Sequence, residues 1–87
     1  MSVYYAIPTA NPSYCKANLP KWQSKGYLTA IILAKGTADK FAEVPCDIRV
    51  ESDYAGWPTQ CNKISRYLVD LFPDVTAVVV GGDDMYP

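Results

Sequence analysis

Two adjacent carboxylates, Asp83 and Asp84, follow an apolar run and the glycine pair Gly81-Gly82. Neighbouring carboxylates repel one another unless a cation or solvent offsets them. The glycines let a ligand approach the backbone closely. Such a pair suits a hard divalent cation, Mg2+ or Mn2+, held through one or two carboxylates plus phosphate oxygens. A solvated turn would use the same dipeptide. The chain has no histidine, which removes Ser-His-Asp and Cys-His mechanisms and leaves any chemistry to carboxylates. Cys15, Cys46 and Cys61 are odd in number, and no two form a CxxC. That pattern argues against a disulfide scaffold and a zinc site. It fits a reduced, cytoplasmic setting.

Two other polar clusters accompany the acidic pair: Pro8-Thr9-Ala10-Asn11 and Asp53-Tyr54-Ala55-Gly56-Trp57. In an open parallel sheet, ligands bind beyond the carboxyl ends of the strands. The three clusters are far apart in sequence, so the elements between them must bring them together. Residues 3–7 are a short β-rich run ended by Pro8, predicting a first strand that is central and buried. Asn11 suits an N-cap and Pro12 a first helical position, predicting a helix to about Lys25 closed by Gly26. Pro20 inside it predicts a kink or restart near Leu19. Cys15, Leu19 and Trp22 would face the core.

Residues 28–33 are nearly continuously apolar, as in a strand covered on both faces. Residues 37–43 predict a short helix capped by Thr37 and stopped before Pro45. Residues 46–51 alternate apolar and charged side chains, the mark of a half-exposed strand near an edge. Trp57, Cys61, Ile64, Leu68 and Leu71 share one helical face, with Asn62, Lys63, Arg66 and Asp70 on or beside the polar side. Residues 75–80 are all apolar except Thr76 and read as the most buried strand of the chain. This order predicts an α/β fold: a small three-layer α/β/α sandwich with a mainly parallel sheet of about four strands.

The 87 residues, 49% hydrophobic and 20% charged, allow one domain, 1–87, with one modest core. That composition is too apolar for a disordered chain. Eight basic against nine acidic residues give a net charge of −1, which speaks against a nucleic-acid binder with a basic surface. No apolar run approaches the roughly 18 residues of a membrane span. The first residues lack the features of a signal peptide.

Taken together, the motifs resemble the N-terminal, nucleotide-sugar-binding half of a GT-A-fold glycosyltransferase. The similarity runs through Tyr5-Ala6-Ile7-Pro8-Thr9-Ala10-Asn11, Leu19-Pro20-Lys21-Trp22 and residues 28–33. It continues in residues 53–62, where Gly56 and Asn62 match an Asn-x-Gly-x-x-x-Ala-x-Asn-like step. It ends in Val78-Val79-Val80-Gly81-Gly82-Asp83-Asp84, which looks like a strand closed by a DxD-type motif. The resemblance implies that Asp83 and Asp84 bind a divalent metal bridging a nucleotide diphosphate of UDP or GDP type. It implies that Pro8 and Thr9 lie beside the base or ribose and that the Gly56 region lies near the donor, with Asn11, Asp53, Trp57 and Asn62 also among the nucleotide- or donor-binding residues. Where the family often has an acidic loop after its second strand, this chain has Ala34-Lys35-Gly36-Thr37. Family members continue for a hundred or more residues, which supply the acceptor site and the catalytic base. An incomplete chain, inactive alone, is the corresponding expectation.

Several residues admit a plainer role. Trp57 suits either stacking on a ligand or the core, and Asn62 either a ligand or the loop backbone. Cys61 suits packing. A second functional reading is a non-catalytic binding or assembly module. Exposed apolar surface, or a sheet edge at residues 46–51 or in the last strand, would then favour a homodimer.

Overall fold

In the computed structural model, which describes residues 2–53 and 56–85, four strands form one all-parallel sheet. The elements are β1 (Ser2–Pro8), α1 (Pro12–Gln23), β2 (Leu28–Ala34), a short 3-10 turn η1 (Ala38–Phe41), β3 (Ile48–Ser52), α2 (Trp57–Leu71) and β4 (Val75–Val80). The order across the sheet is β3-β2-β1-β4. β1 is central, pairing with β2 from Tyr4 opposite Leu28 and with β4 from Ser2 opposite Val75.

Alternate residues of the central strands feed two cores, because successive side chains point to opposite faces. On one face Tyr5, Ile7, Ile31 and Leu33 pack with Cys15, Leu19 and Trp22 of α1 and with Phe41 and Val44. On the other, Tyr4, Ala6, Ala30 and Ile32 pack with Ile64 and Leu68 of α2. The result is the expected α/β sandwich, with helices on both faces.

The local chemistry explains most boundaries. Asn11 caps α1, its side-chain oxygen accepting from the Tyr14 amide at 3.1 Å, and Pro12 follows it. The helix runs through Pro20 without the expected restart. Lys16 and Pro20 are both exposed, so water reaches the carbonyl that Pro20 leaves without an amide. α1 ends at Gln23, two residues short of expectation, and Gly26 makes the turn at φ +93°. Thr37 does not cap η1; its hydroxyl donates to the Ala34 carbonyl at 2.7 Å.

Two expectations about burial fail. β4 is an edge strand with Val79 36% and Val80 43% exposed. An apolar run reports what a strand is made of, not which neighbours cover it. On α2, Cys61, Ile64 and Leu68 are buried, but Trp57 and Leu71 at the ends of the stripe are exposed.

Candidate functional site

The strand order reverses between β1 and β4. Successive strands step from β1 to β2 to β3, and β4 then returns to the far side of β1. In open parallel sheets the crevice outside the carboxyl ends at such a reversal is where ligands bind. A cleft of about 270 Å3 lies there. Pro8, Thr9 and Ala10 line it from the end of β1, Ile32 and Ala34 from β2, Trp57 and Gln60 from α2, and Gly82 and Asp83 from the segment after β4. A wider hollow elsewhere takes all its walls from α2, so it is a groove on one helix surface.

Side chains of β1 and α1 clamp the segment after β4 in position. The Thr9 hydroxyl donates to Asp83 Oδ2 at 2.6 Å. The Tyr5 hydroxyl donates to the Gly82 carbonyl at 2.6 Å, Asn18 Nδ2 to the Asp83 carbonyl at 3.0 Å, and the Trp22 indole N–H to the Met85 carbonyl at 3.1 Å. Tyr5 and Trp22 stack with ring centroids 3.8 Å apart and planes 9° from parallel. The chain must run close over the Tyr5 ring: a Cβ on Gly81 would lie 2.7 Å from its hydroxyl oxygen. Burial, with Asp83 and Asp84 nearby, pushes the Tyr5 phenol up to about 12. It therefore stays a donor to the Gly82 carbonyl at neutral pH.

The opposite wall is the N-terminus of α2. Gly56 sits at its N-cap with φ +93° and no side chain to cap the first turn. The amides of Trp57 and Thr59 have no intrahelical acceptor, and Pro58 has no amide. The helix dipole adds partial positive charge at this end. One turn in, Gln60 is 1% exposed, and its Oε1 has no hydrogen-bond donor among the described residues. A buried polar atom left in this state costs free energy. Residues 60, 64 and 68 fall on one helix face, so Gln60 is a polar residue on the core stripe defined by Ile64 and Leu68. That spacing is the mark in the sequence by which Gln60 can be placed on the buried face.

Of the residues singled out from sequence, the cleft brings together Pro8, Thr9, Trp57 and Asp83. Asp84 follows directly, exposed, with its Oδ1 folded over Gly82. Asn11 is engaged as the α1 cap. Asp53 faces Lys35 at 3.4 Å, and its carbonyl accepts from Lys63 Nζ at 3.2 Å. Asn62 lies on the outer groove of α2, away from the cleft. Tyr54 and Ala55 of the second polar cluster lie outside the described residues. No cluster of three or more metal-binding side chains occurs among the described residues. Asp83 and Asp84 by themselves fall short of such a cluster, and a cation there would need other ligands to complete its shell.

The thiols offer no nucleophile. Burial pushes Cys15, Cys46 and Cys61 up from their ordinary value, leaving them neutral at pH 7. The hydrogen bond between Cys15 and the Thr9 hydroxyl, 3.3 Å long, offsets part of the rise at Cys15. Among the described residues no helix is long and apolar enough to cross a membrane. Comparison with protein-family models, curated proteins and solved structures returned no match.

Proposed function

We propose that this domain binds a nucleoside-diphosphate sugar of UDP or GDP type together with Mg2+ or Mn2+, as a GT-A-like glycosyltransferase donor site does. The observation that carries the reading is the pairing across one cleft of the Asp83 carboxylate with the uncapped N-terminus of α2. One wall favours a cation and the other favours phosphate oxygens. Asp83 and Asp84 would hold the metal, which supplies charge neutralisation for the diphosphate. The Thr9 hydroxyl occupies one oxygen of Asp83 and orients the other. The Trp57 and Thr59 amides meet the phosphates. The reading assigns donor binding to these residues and no base to the acceptor hydroxyl.

Paramagnetic broadening by Mn2+ tests it. Amide signals of residues 81–84 and Thr9 should broaden first, and more strongly with UDP or GDP present. Uniform broadening, unaffected by nucleotide, would remove the metal site.

A second reading, assembly, is favoured by the position of β4 at the sheet edge with Val79 and Val80 exposed. A second copy pairing along β4 would cover both. Sedimentation should then show a dimer that Val79→Lys converts to monomer. A wild-type monomer at high concentration would end that reading.

A further inference from the structure

We propose that the side-chain carbonyl of Gln60 reads the ring N–H of a uracil or guanine base seated in the cleft between β1, β2 and α2. The inference deepens the nucleotide reading and rests on it for the class of ligand. Its own support is separate from the acidic pair and from the phosphates.

Gln60 lines the cleft, is buried to within 1% of full exclusion, and carries an Oε1 without a donor among the described residues. A buried carbonyl in that state is complete only when an N–H or O–H arrives. Beside it, Pro8, Ile32 and Ala34 give an apolar floor and Trp57 an exposed indole at the rim. A flat, weakly polar ring matches those walls. At the Gln60 end a sugar ring would set several hydroxyls against the apolar floor and lose hydrogen bonds to water there. The cleft volume, about 270 Å3, lies just below the usual range for whole small-molecule ligands. It suits one ring system, with ribose and phosphates leaving toward the α2 N-terminus.

In the pose that turns N3 of a pyrimidine or N1 of a purine toward the Gln60 carbonyl, an in-ring N–H is the donor it accepts. Uracil carries it at N3 and guanine at N1. Adenine and cytosine present unprotonated ring nitrogens at those positions, whose lone pairs would face the Gln60 oxygen. The lone carbonyl thus becomes a specificity element, and discrimination is strongest where a buried polar group is left unpaired by the wrong ligand.

The test uses nucleosides, which carry no phosphate, without metal. The full chain is titrated with uridine, guanosine, cytidine and adenosine, following the Gln60 side-chain amide and the Trp57 indole N–H by NMR. Uridine or guanosine should shift both signals and bind at least about tenfold more tightly than cytidine and adenosine. N3-methyluridine and N1-methylguanosine should lose at least that factor, with no change to the protein. Gln60→Leu should do the same. Equal binding of the methylated nucleosides, equal binding to Gln60→Leu, or no shift with any nucleoside overturns the inference. A parallel titration with inorganic pyrophosphate and Mn2+ tests the diphosphate site by itself. Pyrophosphate binding without base selectivity leaves that site and removes the role of Gln60. Base selectivity without pyrophosphate binding does the reverse.

Discussion

The Thr9 hydroxyl donates a 2.6 Å hydrogen bond to Oδ2 of Asp83, joining residues 74 positions apart in sequence. The bond exists because β1 and β4 are adjacent and parallel, with Ala6 level with Val80. Thr9 and Asp83 each lie three residues beyond that pair. Asp83 is in this way tied to the central strand, while Asp84 next to it remains exposed.

Replacing Thr9 by valine keeps the shape and removes the donor. Hydrogen bonds to charged groups are worth about 1.5–3 kcal/mol, and partial exposure of Asp83 reduces that. Thr9→Val should lower unfolding stability by about 1–2 kcal/mol in urea titration, and Thr9→Ser should recover most of it. Equal midpoints for wild type and Thr9→Val would mean that the bond does not hold the segment.

Gly81 allows the chain to pass the Tyr5 hydroxyl. Gly81→Ala should cost about 1–3 kcal/mol, as overpacking does, because the new methyl meets that oxygen at 2.7 Å. In a Tyr5→Phe background the same substitution should cost less. A double-mutant cycle should give a coupling of at least about 1 kcal/mol. Strict additivity would show that the clash is relieved elsewhere.

Alkaline pH should loosen the fold by a calculable sign. Tyr5 loses its proton near 10.0 when unfolded and near about 12 when folded. Between these values the unfolded state binds fewer protons, so stability falls as pH rises. Burial pushes Tyr4 and the three thiols in the same direction, so the decline begins near 9.0, the ordinary thiol value. Urea midpoints should fall steadily above that pH. Tyr5→Phe should flatten the part above pH 10. A midpoint that rose with pH would contradict the assignment.

Gln60 should be a liability to the free protein. Gln60→Leu removes a buried acceptor without a donor and should raise stability by about 1 kcal/mol. A loss of that size would show that the carbonyl serves the fold.

The layout of the domain was readable because burial on two faces leaves a clear mark. Residues 28–33 are nearly continuously apolar and lie in β2, and the alternation before Ser52 marks the exposed face of β3. Asn11-Pro12 announced the start of α1. What failed depended on neighbours distant in sequence. The valines of β4 look like those of a central strand, and only the strand order shows that one edge is open. Trp57 and Leu71 obey the helical period yet lie at the exposed ends of α2. Within the cleft, Thr9 and Asp83 were legible as residues, but not as a bonded pair. Gln60 was missed because a glutamine draws no attention in a helix read by its apolar members, although its spacing from Ile64 and Leu68 places it on the buried face.

Calorimetric titration of the chain with UDP and GDP, with and without Mn2+, tests the central claim most directly. The account predicts binding that requires the metal and disappears in the Asp83→Ala/Asp84→Ala double variant. Metal-independent binding, binding that survives the double substitution, or no heat at millimolar nucleotide would contradict it.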